Sequence, residues 1–173
     1  MTAVAGSTFT AAAFNTHVRD NLQETAPAKA TAPSQLFVST GPNAIAVRVP
    51  ATDFVAATES TTATSYTDLA TPGPSVGAVT GTIAIVFFAA SASVATNNTA
   101  AAYSVAVSGA TNLPASDTWA VQEDGISAGN WTRHGSTHVF TGLTPGINTF
   151  TMRYQAGASN TSFKNREISV IPL

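Results

Sequence analysis

Three histidines, a pair of adjacent carboxylates and a few aromatic side chains are the residues of this 173-residue chain whose types and spacing could do chemistry. His134 and His138 are four apart, which on a helix would put both rings on one face, as in zinc sites. Thr132, Gly135, Thr137 and Val139 between and around them favour a strand or loop instead. On a strand the two rings would lie about 13 Å apart, too far to share a metal, so they read as a surface pair. A second arrangement stays open, in which equivalent histidines of symmetry-related chains meet on an axis and bind a metal or an anion. Sequence order leaves a Ser-His-Asp triad open, but no Gly-x-Ser-x-Gly elbow occurs. Glu123 and Asp124 are adjacent and precede Gly125, which predicts a turn rather than the opposed carboxylates of a glycosidase. No glycine-rich phosphate loop is present, and the absence of cysteine excludes thiolate nucleophiles, thiolate metal sites and disulfides. The expectation is a non-enzymatic chain with no catalytic residues, no cofactor and no metal.

Trp119, Trp131, Tyr66 and Tyr154 could form a sugar platform, because aromatic faces pair with the apolar faces of sugars and Thr or Asn supply hydrogen bonds. In a β-rich chain such residues more often fill a core. Trp131, flanked by Asn130, Thr132 and Arg133, is the candidate for surface recognition. Asn97-Asn98-Thr99, Asn130-Trp131-Thr132 and Asn160-Thr161-Ser162 match the glycosylation pattern, which a Thr-rich chain produces by chance.

Composition narrows the class. Seven Lys and Arg against nine Asp and Glu make no basic stripe, which argues against nucleic acid as a partner. The strongest apolar run, Ile83 to Ala90, is far short of the roughly 18 to 20 residues of a membrane span, so no membrane insertion is expected. Met1 to Gly6 lacks a positive region followed by an apolar core, and no signal peptide is expected. Ala (32) and Thr (27) dominate, and residues 69–116 contain no charged side chain at all. That stretch must cover its solvent face with hydroxyls and amides, which suggests that part of its surface meets other subunits.

The elements that would position these residues fall into two regions. A helix is predicted over 8–24, with Ser7, Thr8 or Thr10 as its N-cap and Phe14, Val18 and Leu22 as one apolar stripe. A Pro/Ala linker over 25–34 should be extended, and a β-hairpin over 35–49 turns at Gly41-Pro42-Asn43. A four-turn helix and a lone hairpin are each marginal in water, so residues 1–50 read as an anchoring and assembly region. Phe14, Val18 and Leu22 are its expected interface. Arg19 and Asp20 beside them could set register between chains, grip a particle or simply face solvent. From 51 to 173 the pattern is strands and turns: Ser65 to Leu69, Ser75 to Val79, Thr82 to Ser93, Ala101 to Ser108, Thr118 to Gln122, Trp131 to Thr141, Ile147 to Gln155 and Arg166 to Ile171. The fold class is mainly β, an antiparallel, jelly-roll-like β-sandwich preceded by a short helix and a hairpin.

The residues also carry a resemblance. Thr10, Ala11, Asn15, Val18, Arg19, Asp20, Asn21 and Leu22 resemble the "T-A-x-x-x-N-x-x-(V/I)-R-D-N-L" segment of structural proteins in tailed bacteriophages, particularly those of actinobacteria. Leu36 to Arg48 is similar to a short unit of phage fibre proteins. Ser65 to Pro74, Thr141 to Gly146 and Ile168 to Leu173 resemble the β-domain that closes many such chains. The resemblance implies a virion structural component, minor tail or fibre-like or capsid decoration-like, assembled in the bacterial cytoplasm. It also implies a homotrimer or other symmetric assembly, with other virion proteins of tail or capsid as partners. A host-surface glycan is the remaining partner class.

Overall fold

The computed structural model describes residues 8, 10–23 and 29–173. The chain divides into two compact units, Met1–Arg48 and Val49–Leu173.

In the first unit, Thr10 caps the helix by accepting a hydrogen bond from the Ala13 N–H at 3.1 Å, as a threonine N-cap should. The helix is not uniform. α1 (Ala11–Phe14) passes into a π-helical turn (Asn15–Arg19) and then α2 (Asp20–Gln23), and the Asp20 N–H reaches back to the Asn15 carbonyl. The predicted end of the helix lies outside the described residues, as does the first part of the linker. The described part of the linker turns rather than extends: the Gln35 side chain accepts from the N–H groups of Thr31 and Ala32 and donates to the Thr31 hydroxyl, and Ser34 adopts a positive φ. Satisfying two backbone donors with one side chain outweighs the extended preference of a Pro/Ala segment. β1 (Leu36–Gly41) and β2 (Ala44–Arg48) pair antiparallel around Pro42-Asn43, with Asn43 at φ 56° as a type II turn requires.

The second unit is a two-layer antiparallel β-sandwich. Its strands are β3 (Ala51–Val55), β4 (Glu59–Thr61), β5 (Ser75–Thr80), β6 (Ile83–Val94), β7 (Thr99–Gly109), β8 (Val121–Ile126), β9 (Thr132–Thr141), β10 (Gly146–Ala156) and β11 (Thr161–Pro172). One sheet runs β5-β10-β7-β8; the other runs β3-β11-β6-β9, with β4 also on β11. Alternation explains the core. On β10, Phe150, Met152 and Tyr154 are fully buried while Thr149, Thr151 and Arg153 between them are not. Facing strands add Val86, Phe88, Tyr103, Val105, Phe163, Ile168 and Val170. Phe88 and Phe163 meet the Tyr103 ring edge-on at 6.3 and 6.2 Å. The Tyr103 hydroxyl, buried with them, donates to the His134 carbonyl at 2.7 Å.

Four expectations are corrected. Ser65 to Leu69 is not a strand: Thr67 exchanges both backbone hydrogen bonds with Tyr154, and that single bridge is all, because β5 already occupies the rest of that edge of β10. Asp124-Gly125 is not a chain reversal but a bulge inside β8, where one extra residue is absorbed opposite β7 with Gly125 at φ 69°. A 3-10 turn (Asp117–Trp119), capped by the Ser116 hydroxyl, occupies the start of the strand predicted over Thr118 to Gln122. β3 and β4 were absent from the predicted strands, being short and carrying Asp53 and Glu59.

β11 is longer than predicted and changes phase. Its register against β6 shifts between Lys164 and Glu167, and Asn165 there has a positive φ. The extra residue turns Arg166 inward, where it is completely buried. Its guanidinium donates to Glu59 Oε2 at 3.0 Å and to the carbonyls of Thr71 and Gly73. Glu59 in turn accepts from the Thr71 N–H and hydroxyl, so one buried ion pair ties β4, β11 and the 71–74 loop together. The Thr71 hydroxyl, followed by the Thr71 N–H and then the nearby guanidinium, holds the Glu59 carboxyl below its ordinary pKa against the opposing effect of burial.

Candidate functional site

The helix stripe is placed as follows. Phe14 and Leu22 are exposed by 45% and 61%, and Val18 is half-buried. Arg19 and Asp20 pair with each other at 2.8 Å, both about half exposed. An exposed pair of this kind contributes about 0–1 kcal/mol, so its stabilising role is small. In the hairpin, Leu36 and Phe37 are exposed as well.

The four aromatics considered as a sugar platform are not brought together. Tyr154 is buried, its hydroxyl donating to the Gly73 carbonyl at 2.9 Å. Trp119 packs against the core, donates from Nε1 to the Val105 carbonyl at 2.8 Å, and stacks on His138 with 5.2 Å between ring centroids. Trp131 remains partly exposed at the start of β9, and Lys164 Nζ sits 3.9 Å from its ring centroid, covering one face.

His134 and His138 both lie on β9, as the strand reading requires, on its inward face opposite Ala90 and Val86. Their environments differ. His134 sits at the open margin of the sandwich, 3.7 Å from Glu123. His138 is half-buried between Trp119 and Phe140, and desolvation lowers its pKa from the usual histidine value. The surface-pair reading therefore holds for His134 and fails for His138. Among the described residues no group of three or more His, Asp or Glu side chains could hold a metal.

Sequence reasoning missed one concavity. It is a groove of about 760 Å³ on the outer face of the four-stranded sheet, walled by residues 64–66 and 112–117 and floored by Thr151, Arg153 and Gln155. The Tyr66 hydroxyl donates to Asp117 Oδ1 at 2.6 Å across one end. Desolvation and then that carboxylate raise the Tyr66 pKa well above the ordinary phenol value, so it stays a donor. Arg153 is neutralised by Asp68, and Gln155 donates to the Thr64 carbonyl at 2.7 Å. The groove is polar: Arg153 is paired with Asp68, and the Asp117 carboxylate is held by the Tyr66 hydroxyl. In a chain with so few charges, Asp68, Asp117 and Arg153 were the signal available. Their partners lie 51 and 85 positions away.

No protein-family model matches the sequence, and no curated protein matches it. Solved structures do. The chain is similar to VP2 of the infectious bursal disease virus subviral particle, with a TM-score of 0.51 at 10% identity over 77% of this chain and 36% of that one. It is similar to the Eiger TNF of S. frugiperda, with a TM-score of 0.52 at 12% identity over 73% and 92%. The CBM22-1 xylan-binding domain of Paenibacillus barcinonensis Xyn10C matches over 83% of this chain and 89% of its own, at 11% identity and a TM-score of 0.39. The fold is a jelly-roll-like antiparallel sandwich. The chain spans about a third of the length of the bursal disease virus chains it matches, 35% to 36%.

Proposed function

We propose that the protein is a non-enzymatic structural component of a tailed-phage virion. Residues 1–50 attach it to the particle, and the sandwich from residue 51 is displayed on the surface, in association with the tail or its fibres. The observation that carries this reading is the hairpin. Among the described residues β1 and β2 form a two-stranded sheet of their own, and Leu36 and Phe37 are exposed on it. Two strands alone are not stable in water, so this element calls for a neighbour. The phage-like segments over Thr10 to Leu22 and Leu36 to Arg48 supply the kind of neighbour: other virion proteins, and further copies of the chain in a homotrimer.

Immunogold labelling of intact particles with an antibody to residues 51–173, together with the mass of the isolated protein by light scattering, tests this. Label on the tail with the mass of three chains is the expected result. Label studding the head would make it a capsid decoration protein. A single-chain mass with no label on particles would end the virion reading. Glycan arrays with and without Trp131→Ala address host recognition: binding that needs the indole would make the sandwich a glycan-binding module.

A further inference from the structure

The groove over β7 and β10 is lined by polar side chains that are each held in place by a second group. The Tyr66 hydroxyl holds Asp117 through Oδ1, the Thr64 carbonyl holds Gln155 through its amide N–H, and Asp68 holds Arg153 through one guanidinium nitrogen. Each keeps further polar atoms: Asp117 and Gln155 a second acceptor position, Arg153 the N–H groups not turned to Asp68. Their rotamer freedom is lost before anything binds, which is the condition for a ligand to gain from each hydrogen bond. The same contacts close the groove at one end. Gln155 ties the 64–66 wall to the floor, and Tyr66 with Asp117 ties that wall to the 112–117 wall. At the other end Ser108 and Asn112 are exposed, and between the ends β7 raises only the small Ala106 beside Thr151.

We propose that this groove binds the terminal residues of a neutral oligosaccharide. The lining excludes the other classes. β7 and β10 hydrogen-bond to each other along the floor, so no backbone edge is open there to a peptide strand. Among the described residues Arg153 is the one cation in the lining and it faces Asp68, while Asp117 is a carboxylate, which disfavours an anionic chain. Fixed donors and fixed acceptors stand side by side, with the apolar Ala106, Leu113 and Pro114 among them. That mixture suits a ring whose hydroxyls both donate and accept and whose C–H faces are apolar; Asp117 would accept from such hydroxyls and Arg153 donate to them. Thr151 to Gln155 covers about 13 Å at ~3.3 Å per residue, the length of a di- or trisaccharide. The volume of about 760 Å³ lies within the range of small-ligand sites. A groove closed at one end takes the end of a chain rather than its middle. Trp131, which precedes β9 in the other sheet, takes no part. The inference goes beyond attachment to a particle and does not rest on it.

The test applies the full chain to an array of neutral and acidic short oligosaccharides. The wild type should retain neutral members and no acidic ones. Ser108→Trp, which fills the open end from an exposed position and leaves every tether in place, should abolish that binding while the far-ultraviolet dichroism keeps its β form. Asp117→Asn keeps an acceptor for Tyr66 but removes the charge, and should weaken binding roughly tenfold or more. Trp131→Ala should bind as the wild type does. Retention of no neutral oligosaccharide, or of acidic ones alone, would overturn the inference. So would neutral binding that survives Ser108→Trp and Asp117→Asn and is lost in Trp131→Ala, which would move the site to the indole. Should Ser108→Trp fail to fold, Asp117→Asn and Trp131→Ala decide between the two positions. Absence of the protein from particles would end the virion reading and leave this result standing.

Discussion

The N-terminal unit and the sandwich are made from the same Ala- and Thr-rich composition, yet they hold together in opposite ways. None of the described residues up to Arg48 is buried, whereas the sandwich encloses a continuous core from Leu69 to Val170. The sandwich is stabilised by what it contains; on the proposed function the other unit is stabilised by what it touches. Composition therefore says little about autonomy, and the placement of large side chains says much. Phe88, Phe150, Phe163 and Tyr154 fall on strands that have a facing layer and are buried, while Phe14, Leu22 and Phe37 stay exposed by 45%, 61% and 38%.

The comparison can be broken most directly through Arg166. Its replacement by alanine strands Glu59 in a mostly buried site, and the sandwich should lose about 3–5 kcal/mol in denaturant unfolding with no change in the N-terminal unit. A loss below about 1 kcal/mol would mean that the pair is solvated and the 71–74 loop held by other contacts. Phe14→Asp should do the reverse. The sandwich transition should be unmoved, while incorporation into particles is lost, because burying such a side chain against a neighbour contributes about 1.5–3 kcal/mol per chain. Normal incorporation would remove the helix from the attachment surface. Thr10→Ala should weaken the helix by about 1 kcal/mol, read as lost helical dichroism, again without moving the melting of the sandwich.

The smallest effect is acidic and belongs to the sandwich alone. Glu59 has a folded-state pKa below its unfolded value, so its contribution is complete above the unfolded pKa of about 4.3 and is lost as pH falls through the lower folded value. Thermal melting of the sandwich should fall across that window, and the fall should shrink in Glu59→Gln. An unchanged acid dependence in Glu59→Gln would assign it to other carboxylates.

The sandwich was legible wherever strands alternate: Phe150-Thr151-Met152-Arg153-Tyr154 reads its own burial. The turn at Pro42-Asn43 was legible, and the helix cap was narrowed to Ser7, Thr8 or Thr10, of which the structure uses Thr10, because both depend on neighbours in sequence. What stayed hidden depends on partners far along the chain. The bulge that turns Arg166 inward has no local signature, since Asn165 at positive φ is an ordinary loop signal inside a strand. Glu59, 107 positions away, gave no hint that it was the partner. The groove between residues 64–66 and 112–117 is likewise made by two loops that only the sheet brings together. Trp131 looked free because Lys164, across β6, could not be seen beside it.

Hydroxyls face one another across neighbouring strands at Ser75 and Thr151, Ser60 and Ser162, and Ser169 and Thr52, at 2.8 to 3.1 Å. None of these groups carries a charge at any ordinary pH, and none recruits a counterion. Such hydroxyl pairs hold their water equally in dilute solution and in brine, because they add no charge for salt to screen. Where such hydroxyl rows face a neighbouring molecule they add no electrostatic repulsion of their own, and fit there would be set by shape.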